Sequence, residues 1–160
     1  MNARSLEQLA RQLLEGRLGL EEFLTEVVHP ATANLDEAQI DLDRQRRCGY
    51  PEVVFAEGKS VPTLLKIFQR LEAEGIEGFA TRVCAAQAEA LAARFPGGKH
   101  NATARTFRVP RPQAAPWARR PLGRVAVVTA GTSDLPVAEE ARETLDWMSV
   151  EAAMIFDVGV

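Results

Sequence analysis

Apolar and polar positions along this chain alternate with two periods, and each period predicts a set of elements. Leu6, Leu9, Ala10, Leu13 and Leu14 recur at helical spacing, with Ser5 as a cap and Gly16 and Gly19 as breaks. Leu20, Phe23, Leu24, Val27 and Val28 share one face of a second short helix that Pro30 closes. Both faces read as core-forming. Ala38, Ile40 and Leu42 then alternate with Gln39, Asp41 and Asp43, the period of a half-buried strand. Val53 to Phe55 is a second strand, preceded by Arg44, Arg46 and Arg47 and followed by a Gly58-Lys59 turn. Ser60 and Pro62 open a helix carrying Leu64, Leu65, Ile67, Phe68 and Leu71, ended by Gly75. Gly78 to Val83 is a third strand, and Gln87 to Phe95 an alanine-rich helix stopped by Pro96-Gly97-Gly98. Arg105, Phe107 and Val109 alternate with Thr106 and Arg108, which predicts a last strand at the edge of this domain.

Between Pro110 and Pro121 the period is lost and four prolines appear, so 110–121 reads as a stiff extended linker and a domain boundary. The stretch from Val125 to Ala141 organises the remainder of the chain. Val125 to Val128 is a continuous apolar run, as expected of a strand covered on both faces. Ala130 and Gly131 keep the turn small. Thr132, Ser133 and Asp134 are all N-cap types, Pro136 suits a first helical turn, and Glu139 and Glu140 favour the helix dipole. Val137, Ala138, Ala141, Leu145 and Met148 are that helix's apolar positions, and Ala152 to Phe156 the next strand. The fold class is therefore α/β. A small mixed α/β domain (1–109) precedes the linker, and 122–160 is the first βαβ unit of a doubly wound parallel sheet. A lone unit cannot cover such a sheet, so the expectation is a fragment, or a chain whose missing strands come from elsewhere.

Composition narrows the class. The chain has 160 residues, 46% hydrophobic and 26% charged, which is globular rather than disordered. No apolar run approaches the ~18 residues of a membrane span, and the start has no signal-peptide core, so a cytoplasmic protein without a membrane partner is expected. Cys48 and Cys84 form no CxxC pair and read as small buried hydrophobes rather than as a zinc site or disulfide. Net charge is −3, yet no Asp or Glu occurs between Glu89 and Asp134, while Arg94, Lys99, Arg105, Arg108, Arg111, Arg119, Arg120 and Arg124 do. That basic interval is either a solvated linker or points to an anionic ligand. Aromatic residues are too few for a nucleic-acid reader.

Ligands of open parallel sheets sit at the carboxyl ends of strands, beside helix N-termini. The candidate binding residues are therefore Gly131, Thr132, Ser133 and Asp134, joined by Arg46, Arg47 and Lys59; arginine's planar fork suits phosphate or carboxylate. Asp134 is the one candidate for a catalytic role, orienting a donor. Arg82, ending a strand, is a further candidate contact, and Glu52 a structural hydrogen-bond acceptor.

The sequence resembles the LarB family, the pyridinium-biscarboxylic acid mononucleotide synthases of nickel-pincer cofactor biosynthesis. The resemblance is carried by Leu42-Asp43-Arg44, Gly49-Tyr50-Pro51-Glu52-Val53-Val54, Gly58-Lys59, Ala80-Thr81-Arg82-Val83, the stretch from Val125 to Ala141, and Asp157-Val158-Gly159-Val160. From Val125 onward the chain is also similar, more distantly, to the purine-pathway aminoimidazole ribonucleotide carboxylase (PurE-like) fold, where a Ser-Asp pair at this turn borders nucleotide phosphate and carboxylate. The resemblance implies carboxylation of the pyridinium ring of nicotinic acid adenine dinucleotide by carbon dioxide or bicarbonate. Phosphoanhydride hydrolysis then releases AMP with magnesium assisting, and the full-length protein is a homo-oligomer. It also implies a cysteine nucleophile in a later region that this sequence lacks; neither Cys48 nor Cys84 falls at that position, so the chain alone is expected not to turn over. Two other readings stay open: a non-catalytic anion-binding or regulatory subunit completed by a partner chain, and the purine-pathway carboxylase itself.

Overall fold

Two short apolar runs, Val53–Phe55 (β3) and Gly78–Thr81 (β4), lie side by side and parallel in a computed structural model of the chain. The structure describes residues 3–27, 32–34, 39–42, 44, 48–110 and 122–159. Before β3 come helices α1 (Ala3–Leu14) and α2 (Leu20–Val27) and an antiparallel pair, β1 (Thr32–Asn34) with β2 (Gln39–Asp41). Between β3 and β4 runs α3 (Val61–Ala73). It starts where Ser60 accepts a hydrogen bond from the Thr63 N–H at 3.2 Å, with Pro62 in the first turn. After β4 come α4 (Ala85–Arg94), β5 (Lys99–Asn101) and β6 (Thr106–Val109). The sheet order is β3-β4-β6-β5, parallel only between β3 and β4.

Alternation along the strands separates the two faces of this sheet. Val54, Ala80 and Phe107 face Leu64, Ile67, Phe68 and Leu71 of α3 and Ala88 and Leu91 of α4, in a core that also takes in Ile40. Phe68 is its centre, with ring centroids 5.9 Å from Phe95 and 6.2 Å from Phe107. Gly78 is required beneath it, because a Cβ there would lie 2.7 Å from the Phe68 ring. All four residues of β4 are buried, so the opposite face is covered as well.

The cover on that face is α5 (Leu135–Trp147), which sits between β7 (Gly123–Val128) and β8 (Val150–Ile155). β7 and β8 pair in parallel, so the predicted βαβ unit is present. Trp147 stacks on Phe79 with centroids 5.3 Å apart and planes at 19°, and Tyr50 meets its edge at 6.1 Å. α5 thus fills two interfaces. Ala138 is buried, while Glu139, Glu140, Glu143, Asp146 and Trp147 engage residues of the four-stranded sheet.

Several expectations change. Ser5 lies inside α1, which starts two residues earlier at Ala3. The apolar faces of α1 and α2 do not form core: Leu6, Leu14, Leu20 and Leu24 are exposed. β6 is not an edge strand, because β5, a Lys-His-Asn strand with no apolar period, lies outside it. Arg82 ends β4 rather than continuing it, since its backbone is left-handed (φ 57°). β7 is not covered on both faces; Val125 and Val128 are 42% and 56% exposed, and among α5's apolar positions Val137 is exposed too. The linker at 111–121 lies outside the described residues.

Candidate functional site

β7 delivers the chain to the turn through Thr129, whose N–H donates to the Ile155 carbonyl at 3.0 Å and whose carbonyl accepts from Val158 at 3.1 Å. These bonds carry the β7–β8 pairing past its last strand residue. The Thr129 hydroxyl is buried without a hydrogen-bond partner among the described residues. Next to it the strand ends close tightly: a Cβ on Gly159 would lie 2.5 Å from the Ala130 carbonyl oxygen, so only glycine fits. Gly131 is extended (φ −157°), and Thr132–Asp134 form one turn of 3₁₀ helix before α5.

Asp134 organises that turn by reaching backward. Its carboxylate accepts the N–H groups of Ala130 at 3.2 Å and Gly131 at 3.3 Å, and its own N–H donates to the Gly131 carbonyl at 3.2 Å. Two donors that would otherwise greet an anion are therefore occupied, and a carboxylate beside them repels one. Thr132 and Ser133 are exposed and have no partner among the described residues, so their hydroxyls are the donors left for a ligand oxygen.

α5 runs antiparallel to β4. Its last turn meets the start of β4 through Trp147 and Phe79, while Glu140 meets Arg82 just past the end of β4 at 2.9 Å. The turn that opens α5 therefore projects beyond the carboxyl edge of β3 and β4. Three cations lie at that edge. Arg82 is held by Glu140; Arg105, also left-handed (φ 54°), donates to the Arg82 carbonyl at 3.3 Å and lies 3.8 Å from Glu57. Lys59 has no ion-pair partner among the described residues. Its loop is fixed by Gln87, 5% exposed, whose amide nitrogen donates to the carbonyls of Ala56 at 2.9 Å and Lys59 at 2.8 Å. The Gln87 amide oxygen accepts the Cys84 N–H at 2.9 Å, so one buried side chain ties the loop after β3 to the start of α4.

Much of the basic interval is spent on structure. Arg94 pairs with Glu72, Arg124 with Glu151, and Arg108 with Glu77 and Asp146. Burial alone would lower the pKa of Arg108, but the hydrogen bond and charge of Glu77, then of Asp146, outweigh it and raise the pKa above the ordinary arginine value. Arg142 is raised mainly by its hydrogen bond to Glu139, with Glu143 adding to it. Asn101 donates to Glu143 at 3.1 Å, so Glu139, Glu140 and Glu143 serve the interface between α5 and the sheet rather than the helix dipole alone.

The structure brings together some sequence candidates and not others. Gly131, Thr132, Ser133 and Asp134 share one turn, and Lys59 sits at the carboxyl edge of the neighbouring sheet. Arg46 and Arg47 lie outside the described residues, while Arg44 packs over the Tyr50 ring at 5.8 Å. Glu52 accepts the Asp41 N–H, the structural role expected of it. Cys48 and Cys84 are exposed free thiols, not buried hydrophobes, because one lies beside Gly49 and the other caps α4 at the surface. Arg105 is absent from the sequence candidates; it stands just before β6, and its local signal is no more than one basic residue in the interval without Asp or Glu. No group of three or more His, Cys, Asp or Glu residues fit to hold a metal occurs among the described residues, and no described helix is long and apolar enough to cross a membrane.

Two comparisons bear on this arrangement. The chain is 30% identical over 165 residues to an uncharacterized protein of Methanocaldococcus jannaschii, an alignment covering 98% of this chain and 62% of the relative. The chain thus spans about three fifths of that relative's length, and the alignment takes in the Gly131–Asp134 turn as well as the four-stranded sheet. The family model described as the LarB/PurE-like N-terminal domain matches residues 32–111, which hold every strand of that sheet along with Lys59, Arg82 and Arg105. With half of its length matched in this way, the chain belongs to the LarB/PurE-like N-terminal domain family.

Proposed function

We propose that this chain is the substrate-binding portion of a LarB-type enzyme, which carboxylates the pyridinium ring of nicotinic acid adenine dinucleotide and hydrolyses its phosphoanhydride to release AMP. Membership of the LarB/PurE-like family supports a carboxylase-type relationship, and the observation that carries the finer reading is the βα turn. There the unpartnered hydroxyls of Thr132 and Ser133 stand just before a thirteen-residue helix, and they are the donors that remain open to a ligand oxygen once Asp134 has taken the N–H groups of Ala130 and Gly131. These hydroxyls donate to a phosphate or carboxylate oxygen of the dinucleotide. Asp134 holds the turn in shape through Ala130 and Gly131, which keeps both hydroxyls at the surface.

Magnesium fits this turn only as an ion carried in on the substrate's phosphates. Asp134 offers one carboxylate oxygen not engaged by the backbone, and magnesium commonly takes one or two carboxylates, with phosphates and waters completing its shell. When bound it would offset phosphate charge beside Asp134. Carbon dioxide or bicarbonate is the co-substrate of the reaction, and the full-length protein is a homo-oligomer in this reading.

Calorimetric titration of the purified chain with nicotinic acid adenine dinucleotide and magnesium tests the proposal. Saturable binding is expected, weakened about tenfold in Ser133→Ala through loss of a hydrogen bond to a charged group, with no AMP released. Unchanged binding in Ser133→Ala, or no binding to the wild type, would overturn the assignment of the turn; measurable AMP release would overturn the restriction of this chain to binding. Titration with aminoimidazole ribonucleotide separates the purine-pathway reaction, which this reading excludes.

A further inference from the structure

We infer that the N-terminal domain carries a second phosphate-binding corner, formed by Lys59, Arg105 and Arg82 at the carboxyl edge of β3 and β4, and that Glu140 of α5 occupies Arg82 until a phosphate takes its place. The inference rests on the dinucleotide reading only for the source of the phosphate; the corner itself stands on the arrangement of its charges.

Among the described residues, three cations stand on segments at this edge and two carboxylates reach them. Arg82 is 38% exposed and is held by Glu140 at 2.9 Å. Arg105 is 44% exposed, spends one guanidinium donor on a neutral carbonyl, and meets Glu57 only at 3.8 Å, beyond hydrogen-bonding distance. Lys59 meets no carboxylate among the described residues. Elsewhere on the same sheet the arginines are closely paired: Arg108 has two carboxylates, one of them at 2.8 Å. At the corner the cations outnumber the carboxylates that reach them among the described residues.

It is also rigidly placed. Gln87 fastens the Lys59 loop to Cys84, and the Val83 N–H donates to the Arg105 carbonyl at 2.8 Å, so the three cations ride on segments bonded to one another. On Arg82 the Glu140 carboxylate makes the same charge-assisted contact that a phosphate oxygen would make. A phosphate carries more charge and more acceptor oxygens than one carboxylate, so it offers contacts to more than one cation of the corner, whereas Glu140 meets Arg82. Its arrival exchanges the Arg82–Glu140 contact for contacts to the ligand. One fixed link between α5 and the sheet is then given up near the helix's first turns, while Trp147 keeps the far end docked.

Inorganic pyrophosphate is the probe, and backbone amide shifts of the 160-residue chain are the readout, because they tell the corner from the turn. Saturable shifts are expected at Lys59, Arg82 and Arg105. Glu140→Gln is expected to tighten this binding about threefold, since a rival charge is gone, and Lys59→Gln with Arg105→Gln to weaken it about tenfold. Both of the latter sites are partly exposed, so their replacement leaves the fold intact, which the unperturbed spectrum of α3 and α4 checks. Shifts confined to 131–134 would overturn the corner while upholding the turn; shifts at the corner alone would uphold the corner and count against the turn. Binding no tighter in Glu140→Gln would overturn the gating role, and binding unchanged in the double variant would overturn the corner altogether.

Discussion

Replacing Trp147 by alanine should undo the docking of the βαβ unit on the four-stranded sheet. Trp147 is 2% exposed and Phe79 0%, and the two rings stack at 5.3 Å. A buried tryptophan removes about 150–250 Å² from water, which at about 25 cal/mol per Å² is worth about 4–6 kcal/mol as an upper bound. Alanine keeps the Cβ and the neighbours relax partly, so truncations of this kind cost about 3–5 kcal/mol. The Phe79 ring would lose its stacked partner and Tyr50 its edge contact in the same step. Urea denaturation monitored by far-ultraviolet circular dichroism measures the loss. With a slope of about 2 kcal/mol per molar urea, the midpoint should fall by about 2 M. Trp147→Phe keeps a ring over Phe79 and should lie between the two. A loss below about 1 kcal/mol for Trp147→Ala would mean that the stack is not what holds α5 to the sheet.

Gly159→Ala drives a methyl against the Ala130 carbonyl at 2.5 Å, so the strand end must shift; a stability loss of about 1–3 kcal/mol is expected by calorimetry, along with shifted Thr129 and Ala130 amides. Gln87→Ala removes three hydrogen bonds from a buried amide and leaves the Lys59 carbonyl and the Cys84 N–H to find other partners, while the Ala56 carbonyl keeps the Lys59 N–H. It should cost about 2–3 kcal/mol and speed hydrogen exchange at Cys84 while leaving β7 and β8 unchanged.

The parts of the fold written in local chemistry are the parts legible in the sequence. Val53–Phe55 is a three-residue apolar run between turn residues, and it forms the strand expected of it. Ser60, Pro62 and Gly75 bracket α3 because capping and left-handed termination are decided by the residues themselves. β5 escapes sequence reasoning because Lys99, His100 and Asn101 carry no strand signal; β6 recruits them by backbone pairing. The exposure of Val125 and Val128 is hidden because a β-branched apolar run reports strand preference, not the presence of neighbours. Among the candidates, Gly131 to Asp134 are legible as cap chemistry next to an apolar run. That Asp134 turns back to fill two of the turn's donors is not, since cap preference does not say which N–H the carboxylate selects. Arg82 and Arg105 come together only through strand pairing, a relation between distant positions that no local window contains.

α5 has little side to spare. One stripe closes on β7 and β8, and another, of Glu139, Glu140, Glu143, Asp146 and Trp147, meets the four-stranded sheet. In evolutionary terms such a helix answers to two hosts. A substitution that suits one surface is screened by the other, so its sequence should drift more slowly than that of α1, whose main neighbour among the described elements is α2. When Glu140 or Asp146 does change, the lineage should show a matching change at Arg82 or Arg108, and the two halves of the protein would then carry a shared record of descent even where their remaining surfaces have diverged.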